Sequence, residues 1–250
     1  MKNDPLSRVA GDAPMNKIRP IKFETGFLKK VPTAVMISMG NTKVLCVAAI
    51  EQNKVPPHCE GDGTGWLSGE YGFLPNAGGK RTSRQRSNSA GRTKEISRII
   101  GRSLRAAFDL KKIAPHTITV DCDVIQADGG TRTAAINGGF VSAMILFNEL
   151  VKAGVYPRIP LKNFVAAVSV GITGGRKVLD LSAKDDNNAD SDINVVMTAS
   201  GKYVEVQGSA EGRAFSKAEF SALLKMASGG VKKIIAAQKR ALKGRGICLK

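Results

Sequence analysis

The 250-residue sequence predicts an α+β protein in which mixed β-sheets are layered with helices. Short runs of apolar and β-branched residues recur along the chain, whereas three longer segments carry the apolar spacing of helices. No internal repeat of solenoid length occurs. With 42% hydrophobic residues, a chain of this length can bury a large core, so the pattern indicates a globular protein.

The first predicted element is a β-hairpin. Residues 35–39 and 42–50 are apolar runs joined by Gly40-Asn41, a pair suited to the positive φ angles of a two-residue turn. Further extended segments are expected at residues 66–74, 117–125, 164–172, 177–181, 193–198 and 203–207.

Three helices follow from the spacing of apolar residues. The first, residues 93–108, carries a basic stripe opposite its apolar face, which fits either an anionic partner or an ordinary solvated surface. The second, residues 131–153, is apolar nearly all round and is predicted to be central and buried. The third, residues 216–241, begins with a capping box formed by Ser216 and Glu219.

Charge gives the first indication of function. The chain has 38 Lys and Arg against 21 Asp and Glu, a formal net charge of +17. The excess is concentrated in residues 80–105 and from residue 220 onward. A polyanionic partner is expected, and nucleic acid is favoured over a membrane because no amphipathic aromatic face accompanies the charge.

The chain organisation is predicted to be simple. Residues 1–16 are expected to form a flexible N-terminal arm, residues 17–243 a single folded domain and residues 244–250 a basic tail. No run of about 18 apolar residues indicates a membrane span, and no secretory signal opens the chain, so a cytoplasmic location is expected. The four cysteines are far apart, which favours buried reduced thiols over a zinc site.

A candidate anion site lies at the start of the second helix. Residues 128–134 read Asp-Gly-Gly-Thr-Arg-Thr-Ala, so a flexible glycine pair ending in Gly130 precedes the helix. Backbone amides, the Thr131 hydroxyl and the Arg132 guanidinium then meet at the positive end of the helix dipole, an arrangement that favours phosphate. The alternative is a strand-to-helix turn with threonine caps and a surface arginine.

A second candidate lies in residues 185–192, where four aspartates stand close together in a strongly basic protein. Asp186 and Asp192 have the chemistry to hold Mg²⁺ or to protonate a leaving group. The alternative is a solvated hairpin loop. Arg92, at the start of the first helix and beside a basic loop, is a further candidate for clamping a phosphate.

Taken together, these segments resemble the ribonuclease PH family. The longest matching string is Asp-Cys-Asp-Val-Ile-Gln-Ala-Asp-Gly-Gly-Thr-Arg-Thr-Ala at residues 121–134, and the resemblance extends over residues 18–241. Shorter matches lie at residues 40–44, 55–57, 65–71, 91–96, 99–106, 169–171, 179–181, 192–195 and 206–208.

The resemblance implies a ribonuclease PH fold for the catalytic domain of residues 17–243, in a homo-hexameric ring built as a trimer of dimers. It implies a phosphate-dependent 3′-to-5′ exoribonuclease that trims tRNA precursors and releases nucleoside diphosphates. Inorganic phosphate would be the co-substrate, and Mg²⁺ is the expected metal.

The resemblance also assigns residues. Asp186 and Asp192 would be the catalytic carboxylates and the metal ligands, with Asp192 favoured as the proton donor. The phosphate-binding residues would be Arg92, Gly130, Thr131 and Arg132. Arg81 and Arg84 would be RNA-binding residues by the resemblance, and Arg86 and Arg98 of the same basic cluster are added to them as predicted RNA contacts.

The sequence departs from the family pattern at two places that concern RNA binding. The family opens with Arg-x-Asp-Gly-Arg, which residues 7–12 lack, and Asn76 stands where the family has arginine. Altered RNA affinity or choice is therefore expected, with the phosphate site intact.

Two other readings stay open. One is a catalytically silent, RNA-binding ring subunit of the exosome type. The other is a small-molecule phosphate-using enzyme, which is disfavoured because the chain has no dinucleotide-binding glycine motif and such an enzyme leaves the charge of +17 unexplained.

Overall fold

The computed structural model describes residues 16–83 and 91–247. The strands in these ranges are β1 (Ile21–Thr25), β2 (Val35–Met39), β3 (Thr42–Glu51), β4 (Trp66–Phe73), β5 (Thr117–Gln126), β6 (Val165–Thr173), β7 (Arg176–Leu179), β8 (Ala189–Thr198) and β9 (Tyr203–Ala210). The α-helices are α1 (Pro57–Glu60), α2 (Gly91–Ala107), α3 (Thr131–Lys152), α4 (Ala183–Asn187) and α5 (Lys217–Gly244).

The strands form two sheets. The first has the order β1-β2-β3-β5-β4 and is mixed, because β4 runs parallel to β5 while the other pairs are antiparallel. The second has the order β7-β6-β8-β9 and is antiparallel throughout. The predicted α+β class with mixed sheets and helices is confirmed.

Helix α3 lies between the two sheets. It contacts β2, β3 and β5 on one side and β6 on the other, which explains why its residues are apolar nearly all round. The approach is close: a Cβ atom on Gly138 would lie 2.7 Å from Cys46 Sγ. The buried Asn137 amide ties α3 to the second sheet through two 2.8 Å hydrogen bonds with the backbone of Ala167.

Helix α3 is apolar because it lies in the core of the protein. In the described ranges it is the one helix with the length and hydropathy of a membrane span, but 83% of its most apolar window is buried. Cys46 and Cys122, partners across β3 and β5, are buried free thiols beside it, as predicted.

Several boundaries differ from the predictions. The predicted hairpin of β2 and β3 is confirmed, but only Gly40 of the Gly40-Asn41 pair takes a positive φ. Strand β8 begins at Ala189, earlier than expected, and α5 continues to Gly244. Strand β1 and helices α1 and α4 were not predicted. Each spans five residues or fewer, a length over which periodicity is a weak signal, although the equally short β2 and β7 were predicted.

Candidate active site

Six of the predicted site residues line one cleft. The inner part is a cavity of about 140 Å³, and it adjoins an outer cavity of about 480 Å³. Four charged side chains line both parts: Arg92 at the start of α2, Arg132 in the first turn of α3, Asp186 in α4 and Asp192 in β8. Gly130 and Thr131 line the inner part only. Residues from both sheets and three helices therefore meet at one site.

The start of α3 has the geometry of an anion site. Gly129 and Gly130 take φ values of 73° and 64°, the left-handed region that glycine adopts without strain. Gly130 is the residue before the first turn, and as a glycine it has no side chain to cap the amides of that turn. The first amides of the helix are thus available for a ligand in the cleft, at the positive end of a 22-residue helix.

The two threonine hydroxyls of this turn are used differently. Thr133 donates its hydroxyl proton to the Gly130 carbonyl at 2.8 Å. Thr131 instead accepts a 2.7 Å hydrogen bond from the hydroxyl of Tyr71, which lies buried in β4. Burial raises the pKa of Tyr71 to about 12, so this phenol remains protonated.

A chain of polar contacts orients Arg132. Its guanidinium donates a 2.7 Å hydrogen bond to Gln207 Oε1, and Gln207 Nε2 donates in turn to a carboxylate oxygen of Glu95. Sequence analysis did not assign Gln207 or Glu95 to the site. The alternation of side chains along a strand could have pointed to Gln207. Asn194 lies two residues after Asp192, so the two share a face of β8, and Asn194 pairs with Gln207 on β9. Both Asn194 and Gln207 line the cleft.

The acidic segment is a short helix followed by a strand, so the hairpin-loop alternative is wrong. Asp185 stabilises the start of α4, because its side chain forms a capping box with Ser182. Asp186 points into the cleft, and partial burial followed by the charge of Asp192 raises its pKa, against the opposing effect of Arg92 and Arg132. Asp192 accepts a 3.0 Å hydrogen bond from Ser209.

A buried ion pair lies beneath the glycine turn. Asp180, the residue after β7, accepts hydrogen bonds from three nitrogen atoms of Arg19 at 2.7 to 3.0 Å, and its side chain is fully buried. The same guanidinium donates a 2.5 Å hydrogen bond to the Asp128 carbonyl. Arg19 thus links the phosphate-binding turn to the end of β7.

The turn also touches the segment that leads to Asp186. A Cβ atom on Gly129 would lie 2.5 Å from the carbonyl carbon of Ser182, so only glycine allows this approach. Asp128 Oδ1 accepts a 3.4 Å hydrogen bond from the amide of Ala183, the first residue of α4. The anion-binding and acidic parts of the cleft are therefore held together by direct backbone packing.

The donor set fits a hard cation. Mg²⁺ is usually held by one or two carboxylates, with water and substrate phosphate completing the shell. Asp186 and Asp192 supply two carboxylates on a shared cleft. Across the described residues there is no cluster of three or more His, Cys, Asp or Glu side chains arranged for a metal, so an all-protein cage is not formed there.

The two predicted RNA-binding arginines that the structure describes lie outside the cleft. Arg81 and Arg98 are described and exposed, but neither lines the two cavities. Arg84 and Arg86 lie outside the described residues. The basic stripe of α2 is not a purely solvated face either. It contacts the protein at Arg102, which pairs with Glu205 at 2.6 Å, and at Arg105, which lies 4.2 Å over the Trp66 ring.

The fold and the cleft match a known class of protein. Family models described as 3′ exoribonuclease family, domain 1 and domain 2, match residues 17–147 and 163–230. The chain belongs to the 3′ exoribonuclease family. Within it, the chain is 47% identical over 229 residues to the ribonuclease PH of Syntrophomonas wolfei, covering 91% of this chain and 95% of that protein.

Solved structures agree on the fold. An Archaeoglobus fulgidus exosome with RNA bound to the active site is similar with a TM-score of 0.77 at 17% identity, covering 90% of each chain. Rice (Oryza sativa) Rrp46 is similar with a TM-score of 0.73 at 18% identity, covering 93% of this chain and 98% of that one. At these identities the likeness concerns the fold alone.

Proposed function

We propose that this chain is a phosphate-dependent 3′-to-5′ exoribonuclease that releases nucleoside diphosphates from RNA. The observation that carries the proposal is the convergence of two arginines, a helix start and two carboxylates on one cleft. A family relative named ribonuclease PH, 47% identical over nearly the whole chain, supports the same activity. A silent, RNA-binding subunit is disfavoured, because no member of this predicted active-site set is missing from the chain.

The residues fit the needs of phosphorolysis. An oxygen of inorganic phosphate must attack the terminal phosphodiester while the bond from phosphorus to the 3′ oxygen breaks. Arg92, Arg132 and the amides at the start of α3 would offset the repulsion between the two phosphates and hold them in line. The products are a nucleoside diphosphate and an RNA shorter by one nucleotide.

The leaving 3′ oxygen takes up negative charge until it gains a proton. Asp186 and Asp192 lie on the same cleft as the phosphate-binding residues, where a carboxyl group can supply that proton. Mg²⁺ is the alternative to proton donation, because a carboxylate that binds a metal carries no proton to give. When held by Asp186 and Asp192, it would stabilise the negative charge on the 3′ oxygen directly. Asp192 is the proposed donor, and Ser209 orients its carboxylate.

The proposed substrate is a tRNA precursor with a single-stranded 3′ tail. The net charge of +17 supports a nucleic-acid partner, and the proposed RNA contacts are Arg81, Arg84, Arg86 and Arg98. We further propose a cytoplasmic protein that assembles as a hexameric ring of three dimers, the assembly that the family resemblance implies. Proteins of the archaeal exosome core share its fold.

A phosphate titration tests the activity. The substrate is a structured RNA with a short 3′ tail, incubated with the full chain, Mg²⁺ and increasing inorganic phosphate. Tail shortening is expected to need phosphate, to saturate with its concentration and to yield nucleoside diphosphates, because phosphate is the nucleophile. Without phosphate, added nucleoside diphosphates are expected to lengthen the tail. Release of nucleoside monophosphates without phosphate would contradict the proposal.

A further inference from the structure

Tyr71 is a buried tyrosine that does not line the cleft, but its hydroxyl contacts Thr131, which does. Its ring packs in β4, with 5% of the residue exposed, and meets the ring of Phe73 edge-on at 5.7 Å. Its hydroxyl reaches Thr131 Oγ1 at 2.7 Å, across the gap between β4 and the first residue of α3. A hydrogen bond placed here links the core to the proposed phosphate site.

The direction of this hydrogen bond decides what Thr131 can do. A threonine hydroxyl has one proton to donate and two lone pairs that accept. The hydroxyl of Tyr71 donates to Thr131 Oγ1 at 2.7 Å, so Thr131 is the acceptor in this hydrogen bond. Within the described part of the chain, the Thr131 hydroxyl has no acceptor for its own proton.

The neighbouring threonine shows the contrast. Thr133 gives its proton to the Gly130 carbonyl and cannot offer it to a ligand. Thr131 lines the inner cavity with Arg92 and Arg132, where an anion would be the nearest strong acceptor. We propose that Tyr71 is a positioning residue, whose donation to Thr131 leaves the Thr131 proton for the anion bound in the cleft.

This inference rests on the proposed role of Thr131 in binding phosphate. Without the Tyr71 hydroxyl, the Thr131 hydroxyl can rotate and exchange its partners with water. The loss concerns one hydrogen bond to an anion and its orientation, so the effect falls on phosphate binding and leaves the carboxylates in place.

The test is Tyr71→Phe, which keeps the ring and removes one oxygen. The KM for phosphate is expected to rise about fivefold to tenfold, the value of one hydrogen bond, with kcat changed by less than about twofold. Tyr156→Phe is the matched control. Tyr156 is another buried tyrosine, 5% exposed, whose hydroxyl donates to the Ile113 carbonyl at 3.1 Å and does not line the cleft. This control is expected to leave the KM for phosphate unchanged.

Thr131→Val separates this inference from the proposed function. If Thr131→Val leaves the KM for phosphate unchanged, the assignment of phosphate to this turn is wrong. If Thr131→Val raises it and Tyr71→Phe does not, only the role of Tyr71 is overturned. The proposal expects the double variant to match Thr131→Val alone, since Tyr71 acts through Thr131. Full additivity of the two changes would also overturn it.

Discussion

Exchange of Asp192 for asparagine is expected to lower kcat for phosphorolysis by about 10²–10⁴-fold, the usual contribution of a positioned acid. Asparagine keeps the shape and the hydrogen-bonding partner of Asp192, so the loss reports the missing charge and proton. The KM for phosphate is expected to change little, because the arginines and the start of α3 are untouched. Steady-state kinetics on a tailed RNA measures both values.

Asp190→Asn is the matched control for this change. Asp190 precedes Asp192 by two residues on the same strand, but it lines neither cavity. Its exchange is expected to leave kcat within about twofold, as for a surface substitution away from the chemistry. Asp186→Asn is expected to resemble Asp192→Asn, since both carboxylates face the cleft. Wild-type turnover by the Asp192 variant would overturn its assignment.

Exchange of Asp180 for asparagine is expected to lower the free energy of unfolding by about 3–5 kcal/mol, the cost of breaking a buried ion pair. The guanidinium of Arg19 would stay buried with its charge unpaired. The NH2 group of the asparagine is itself a donor, so it could not accept hydrogen bonds from the N–H groups of Arg19. Asparagine tolerates the positive φ of 61° at this position, so the backbone is not the cause of the loss. Denaturant unfolding of the full chain measures it.

Glu149→Gln is the control for this second variant. Glu149 pairs with Lys152 at 2.9 Å on the exposed face of α3, where both side chains are solvated. The expected change is about 0.2–1 kcal/mol, typical of surface ion pairs. A loss for Asp180→Asn no larger than this control would contradict the expected cost of breaking the buried Arg19–Asp180 pair.

The sequence predicted the elements whose signal is local and long. The hairpin of β2 and β3 follows from Gly40-Asn41 between apolar runs, and α3 follows from apolar residues on nearly all sides of a 22-residue helix. Helix α4 was missed because its five residues carry charge and no periodicity. Its one local sign is the Ser182 and Asp185 capping box, which also occurs in loops.

The site was predictable to a similar extent. Gly130, Thr131 and Arg132 are adjacent in the chain, so the anion site could be inferred from local chemistry. Contacts between residues far apart in the chain could not be inferred in this way. Arg19 and Asp180 are 161 residues apart, and their pairing depends on how the two sheets meet. Tyr71 is 60 residues from Thr131 and looks like an ordinary aromatic residue of a buried strand.

The most direct measurement of the central claim follows the oxygen atoms of phosphate. The full chain is incubated with a tailed RNA and inorganic phosphate labelled with heavy oxygen, and the released nucleotides are analysed by mass spectrometry. Phosphorolysis predicts nucleoside diphosphates whose terminal phosphate carries the label, because the attacking phosphate becomes that group. Unlabelled nucleoside monophosphates, formed at the same rate with or without phosphate, would contradict the account.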